Sequence, residues 1–341
     1  MSIIADSRTW IAPNPQSVPI YIVPQSTRRS FPNRHIASFH KIIRILKHLN
    51  PDFVHLYAQH YYSPPIILSR IPFILTSWGT EVLTLPNDSI MIRALAKTAA
   101  AKASKVTVDA DCLKEMWARI GVPKSKVEVI PFGVDLKIFN PQVGGSEIRE
   151  RLGIQNNDIV LISTRALRNH HYNVECFVKA VPLILKSYGN AKFIIKGSGP
   201  LEGYLRNLAK RLGVSEYVRF VGLVPHAEMA KYLAAADIYV STCFTDTTSV
   251  SLLEAMACGL APVVTDIPGN HEWIANGENG LLFQPKDPVA LSEKAIQLVE
   301  NEKLRKSFGK KCFQIVKQKA SWEDCVSKME RIYQSLLREE S

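Results

Sequence analysis

The sequence predicts an α/β protein of two domains, and three observations carry that prediction. Residues 237–283 read as strand, polar loop, helix and second strand, which is a parallel crossover unit. Other short apolar runs alternate along the chain with amphipathic helical stretches. The length of 341 residues exceeds what one hydrophobic core usually organises.

Composition narrows the class. A hydrophobic content of 46% with 21% charged residues is ordinary for a soluble globular enzyme. No apolar run is long enough for a spanning helix, and the start, Met-Ser-Ile-Ile-Ala-Asp, lacks the basic and apolar regions of a signal peptide. Six cysteines without C-x-x-C spacing argue against zinc or a disulfide framework, so a reducing cytoplasm is expected. The net charge of +11 is uneven: residues 1–145 hold 17 Lys/Arg against 9 Asp/Glu, giving +8. That asymmetry suggests an anionic partner for the first half, a membrane surface or an anionic acceptor, although a solvated basic face is the plainer reading. No nucleic-acid-binding motif is present, so nucleic acid is not an expected partner.

Taken in order, Ser2–Ala5 and Pro19–Val23 read as short strands, with Arg28, Arg29 and Arg34 in the loop that follows. Ala37 to Leu49 reads as a helix, apolar through Ile42, Ile45, Leu46 and Leu49 and basic through Lys41, Arg44 and Lys47. This is the pattern of a membrane-surface helix or, more plainly, of a sheet-covering helix with a wet basic face. Strands are expected at 51–56, 72–76, 105–108 and 127–131, and helices at 89–103 and 109–120, the latter capped by Asp109 or Asp111. Val143-Gly144-Gly145-Ser146 reads as a linker.

The second half repeats the alternation. Ile159 to Ser163 is a strand ending at Thr164-Arg165, and a lone arginine at the C-terminal end of a parallel strand favours a ligand site. Ala191 to Lys196 is a strand leading into Gly197-Ser198-Gly199-Pro200 and a helix. A dinucleotide fingerprint is rejected there, because the third glycine is out of phase and no acid ends the next strand. In the 237–283 stretch, Ile238 to Val240 is a strand and Thr242 to Ser249 a polar loop carrying Asp246. Ser251 to Cys258 is a helix stopped by Gly259, and Ala261 to Val264 is the next strand. The free N–H groups at that helix start suit phosphate, while Asp246 and Glu254 beside them suit neutral hydroxyls. A nucleotide-sugar has that chemistry. A solvated loop acid and a first-turn acid remain the plain alternative.

The pattern Asp246-x7-Glu254, followed by Ala255-Met256-Ala257-Cys258-Gly259 and Asn279-Gly280-Leu281-Leu282, resembles the signature of the family-4 (group 1) retaining glycosyltransferases of GT-B fold. Pro51-Asp52-x-x-His55, Pro131-x-Gly133-Val134-Asp135 and Gly197-x-Gly199-Pro200 extend the likeness. The resemblance implies two Rossmann-like α/β/α domains facing across a cleft. Residues 1–145 would form the acceptor-side domain, 146–320 the nucleotide-sugar domain, and 321–341 a terminal helix returning to the first. The family opens with a strand and Gly-rich loop, whereas Ser2–Ala5 resembles its second strand. The first strand and helix of the N-terminal domain are therefore expected to be missing.

It further implies transfer from a UDP- or GDP-linked sugar to a glycan or lipid-linked acceptor with retention, using no cofactor and no metal. Arg165 and the N–H groups near Ser249 and Val250 would hold the diphosphate, Glu254 the ribose, and Asp246 the transferred sugar. Gly197 and Gly199 form the donor-side turn, and Leu223 and Val224 meet the base. On the acceptor side stand Trp78, Gly79 and Glu81. The chain departs from the family in five ways. Asp246 replaces a usual Glu, His170 and His171 stand near the position of a phosphate-binding Lys, Trp78 replaces a frequent His, Glu81 replaces a common Asp, and the opening is absent. These departures keep open a non-catalytic GT-B-like subunit and, more remotely, a nucleotide-sugar epimerase. The expected location is cytoplasmic, with peripheral membrane docking through the basic first half.

Overall fold

The computed structural model describes residues 3–6, 20–23, 33–57, 62–83 and 90–338. Two compact units emerge, Met1–Val129 with Glu330–Ser341, and Ile130–Met329.

In the first unit, β1 (Ile3–Asp6) pairs in parallel with β2 (Ile20–Val23) as a separate ribbon. A four-stranded parallel sheet follows, with β3 (Val54–Tyr57), β4 (Phe73–Ser77), β5 (Lys105–Val108) and β6 (Val127–Val129) side by side in chain order. Its helices are α1 (Asn33–Leu49), α2 (Ser63–Ser69), α3 (Thr80–Leu83), α4 (Ile90–Lys102) and α5 (Asp111–Arg119). Helix α1 begins four residues before the expected Ala37, because its first turn, Asn33-Arg34-His35-Ile36, is mostly polar and gives no periodic signal. Ile42, Ile45 and Leu46 of α1 enter the core, while Lys41, Arg44 and Lys47 stay exposed. Ala96, Ala99 and Ala100 of α4 are fully buried, small residues that bring the helix close to its neighbours. The cap expected for α5 is not made. Ala110 takes the N-cap position without a side-chain bond, and Asp109 is buried at 2% exposure.

The second unit holds β7 (Ile159–Ser163), β8 (Ala191–Lys196), β9 (Val218–Gly222), β10 (Ile238–Ser241), β11 (Ala261–Thr265) and β12 (Leu281–Phe283). All pairings are parallel, in the order β12-β11-β10-β7-β8-β9. The chain thus builds outward from β7 to β9, then returns to build outward from β10 to β12 on the other side. The order reverses between β7 and β10, and crossovers there leave opposite faces and open a crevice at the strands' C-terminal ends. The helices are α6 (Ser146–Leu152), α7 (Val174–Ser187), α8 (Glu202–Arg211), α9 (His226–Ala234), α10 (Val250–Ala257), α11 (Pro268–His271), α12 (Pro288–Val299) and α13 (Glu302–Lys319), with α14 (Trp322–Arg338) beginning in this unit and ending in the first.

Burial explains why these strands are almost wholly apolar. Leu161, Phe193 and Ile195 face a core shared with Phe177 and Val181 of α7 and Leu291 of α12. Their neighbours Val160, Ile162 and Ile194 face a second core with Leu233 of α9, Leu253 of α10 and Val316 of α13. Alternation by two residues therefore buries both faces, as covered parallel sheets require. The segment after β6 belongs to this unit: Val134 N donates to Ala320 O at 2.9 Å, and Phe139 sits in the second core. Within the first unit, Tyr333 Oη and His55 Nδ1 lie 2.7 Å apart, tying the end of α14 to β3. Among the described residues no helix is long and apolar enough to cross a membrane.

Candidate functional site

At the reversal point of the second unit lies a cavity of about 410 Å³. Its walls come from the ends of four strands. Thr164, Arg165 and Ala166 follow β7, and Lys196 ends β8. Val224 and His226 follow β9, and Asp246, Ser249, Val250, Ser251 and Glu254 follow β10. Parallel strands deliver every one of these side chains at the same edge of the sheet, so residues some 90 positions apart converge without any long-range search.

Four hydrogen bonds hold the Arg165 side chain there. It is 8% exposed, and its Nη2 donates to Asp246 Oδ2 at 2.8 Å, Ser249 Oγ at 2.6 Å and Ser241 Oγ at 3.0 Å. Nε donates to Ser241 Oγ at 3.2 Å, and among the described residues no hydrogen-bond partner engages Nη1. Burial opposes the guanidinium charge, but Tyr239, Cys243 and Asp246 outweigh it and hold Arg165 protonated. Asp246 is also fixed from its own loop, accepting from Thr247 N at 3.0 Å. Ser249 caps α10 by accepting from Leu252 N at 3.2 Å. The first N–H groups of α10, those of Val250 and Ser251, precede the point where helical acceptors begin, and both residues line the cavity.

Glu254 lies one turn further on, 8% exposed, with Oε1 3.1 Å from His226 Nε2. Burial raises its pKa, and His226 and Lys196 offset part of that rise. Lys196 shows the converse, its pKa lowered by burial and partly restored by Glu254. Carboxylate, imidazole and ammonium thus form one electrostatic group.

Three glycines shape the loops. A Cβ on Gly197, at φ +140°, would lie 2.2 Å from Arg165 O, so only glycine lets β8's exit pass behind the arginine. A Cβ on Gly269 would lie 2.3 Å from Thr247 O, so α11 can back the Asp246 loop only without a side chain. Gly199 plays the same part against Leu167 O.

Asp246, Glu254, Arg165, Ser249, Val250 and Val224 are thus brought together, with Gly197 and Gly199 behind them. His170 and His171 do not line this cavity. They lie in a 3₁₀ turn, His170–Tyr172, that presents Tyr172 to the cavity instead. His170 borders a smaller hollow, and His171 contributes its carbonyl, which accepts from Phe244 N at 2.9 Å. Leu223 is 74% exposed outside the lining. Trp78 and Gly79 belong to the first unit, where Trp78 packs on Tyr57 at 5.1 Å between ring centroids. The Glu81 side chain lies outside the described residues, as do Arg28, Arg29 and the Arg34 side chain.

Sequence reasoning passed over Lys196, His226 and Tyr172. The first two carried a signal: Lys196 is the charged end of an apolar strand, as Arg165 follows one, and His226 opens a helix directly after Pro225. The chain has one Asp-x-Asp triplet, Asp109-Ala110-Asp111, which lies in the first unit with Asp109 buried. Among the described residues no three His, Cys, Asp or Glu side chains gather as a metal-binding group.

Comparison with known proteins agrees with this architecture. Residues 145–314 match the family model for glycosyl transferases group 1, and residues 2–138 match that for glycosyltransferase family 4. The N-acetyl-alpha-D-glucosaminyl L-malate synthase of Bacillus anthracis is 24% identical, over 91% of this chain and 81% of its own. Sucrose-phosphate synthase from Thermosynechococcus elongatus superposes with a TM-score of 0.81 at 18% identity, covering 98% of this chain and 88% of that one. HepE of Anabaena, solved in complex with UDP-glucose, superposes at 0.78 and 18% identity, covering 93% and 86%. Both halves match and both units are built on parallel sheets, so the chain belongs to the group 1, family-4 glycosyltransferases of GT-B fold.

Proposed function

We propose that the protein transfers a sugar from a UDP- or GDP-sugar to a hydroxyl of a glycan or lipid-linked acceptor, with retention of configuration. The observation that carries this reading is the convergence of Arg165, Asp246, the α10 N-terminus and Glu254 in one cavity at the reversal point of the sheet. The diphosphate would lie at the start of α10, against the N–H groups of Val250 and Ser251 and the remaining Nη1 of Arg165. Glu254 would accept from the ribose hydroxyls. Asp246 keeps lone pairs beyond those taken by Arg165 and Thr247, and these would accept from the transferred sugar. Val224 gives an apolar wall for the base. The complex of HepE with UDP-glucose supports the donor class.

In the step itself, the bond from sugar C1 to the diphosphate oxygen breaks and the acceptor oxygen bonds to C1 on the same face. The acceptor's proton passes to the departing phosphate oxygen. The helix start and the cationic side chains stabilise charge as it accumulates on the nucleoside diphosphate, and they need no reorganisation to do so. Metal is not required in this scheme, because the cavity's carboxylates are engaged, Asp246 by Arg165 and Glu254 by His226. The test is a panel of UDP- and GDP-sugars offered to purified protein, with free nucleotide measured. Release from one donor supports the reading; a panel that neither binds nor turns over contradicts it.

A further inference from the structure

The cavity contains three basic side chains, Arg165, His226 and Lys196, and they differ in what already holds them. Arg165 is paired with Asp246 at 2.8 Å and clamped by two serines. Asp246 is a short acid, and it reaches the arginine from within its own fixed loop. The two formal charges cancel. His226 lies against Glu254 at 3.1 Å. Lys196 is partly buried, yet among the described residues its ammonium makes no hydrogen bond or ion pair; only the longer-range field of Glu254 favours its charge.

A partly buried ammonium without a counter-ion is unfavourable in the free protein. Residue types that avoid the cost, such as the valine or isoleucine found earlier in β8 and its neighbours, would fit the end of a covered strand equally well. The lysine instead stands at the sheet edge where ligands bind, beside a helix start that also attracts anions. His170 and His171 do not line the cavity, although His171 lies within the field of Asp246 and Arg165.

We propose that Lys196, delivered by the end of β8, supplies the positive charge that meets the donor's diphosphate, in place of a basic residue in the loop after β7. Arg165 then acts chiefly as the organiser of the Asp246 loop and the Ser249 cap. This assignment rests on the nucleotide-sugar reading above. It makes Lys196 a binding residue for the nucleoside diphosphate and a contributor to leaving-group stabilisation.

The experiment is calorimetric titration of wild type, Lys196→Gln, Lys196→Arg and the double variant His170→Gln/His171→Gln with UDP, GDP, uridine and guanosine. Melting curves confirm that each variant is folded. Loss of one charged contact should weaken the bound diphosphate at least about ten-fold in Lys196→Gln, with the matching nucleoside almost unaffected. Lys196→Arg should recover part of the loss, and the double histidine variant should bind like wild type. An unchanged diphosphate affinity in Lys196→Gln overturns the assignment while leaving the nucleotide-sugar function standing. An equal loss for the nucleoside also overturns it, by placing the lysine on the base or ribose. Wild type that binds neither UDP nor GDP would instead overturn the function on which the assignment rests.

Discussion

Glu254→Gln separates a ligand-binding carboxylate from a structural one. The substitution keeps size and one acceptor oxygen but removes the charge. A hydrogen bond to a charged acceptor is worth about 1.5–3 kcal/mol, against about 0.5–1.5 kcal/mol for a neutral one. If the carboxylate accepts from both ribose hydroxyls, the loss is about 2–3 kcal/mol, or about 30- to 150-fold in UDP affinity. Stability should move the other way. Burial raises the folded-state pKa of Glu254, so its contribution to stability is complete below the unfolded pKa and is lost as pH rises through the folded value. Burial thus disfavours the charged form of this carboxylate, and the neutral amide should leave the melting temperature unchanged or higher. Calorimetry with UDP and thermal melts of the same samples read the two effects. A variant that melts lower yet binds UDP normally would show that Glu254 serves packing and its His226 contact, and the ribose assignment would be wrong.

Three further outcomes are expected. His55 is partly buried against Thr76 and Tyr333, and its pKa falls to about 4 from 6.5. The neutral imidazole is the stable form, so about 3 kcal/mol of stability in the first unit, present above pH 6.5, should be lost as pH falls toward 4. Urea midpoints should show that loss in wild type and a smaller one in His55→Gln; equal losses would place the sensitivity elsewhere. Activity should survive EDTA, since Asp246 and Glu254 are already paired within the protein, and a loss that Mn²⁺ restores would contradict this. The exposed Lys41, Arg44 and Lys47 of α1 should bind vesicles of anionic lipid at about 1 kcal/mol per residue. Flotation at low salt should fail at 1 M salt and in the triple Gln variant; equal flotation of that variant would assign the basic face to solvent.

How much of this was readable in advance depends on sequence distance. Ser249, Glu254 and the α10 start lie on one short strand–loop–helix unit, so local pattern placed them together, and Arg165 was found as the lone charge at a strand end. The pairing of Arg165 with Asp246 was not readable, because it spans 81 positions and depends on β7 and β10 being neighbours. Lys196 and His226 enter from two further strand ends, and only the sheet order shows that these share an edge. The His170–His171 proposal relied on spacing from Arg165, which cannot reveal that a 3₁₀ turn aims Tyr172 inward. Helix α11 escaped notice because four residues, Pro268 to His271, carry no periodicity, although Gly269 decides where the Asp246 loop can lie.

The most direct test of the central claim is a crystal structure of the protein with UDP or GDP bound. The ribose hydroxyls should lie on Glu254, the base beside Val224, and the diphosphate at the N–H groups of Val250 and Ser251 within reach of Lys196 and Arg165. A nucleotide seated elsewhere on the molecule, with the cavity of the second unit empty, would contradict it.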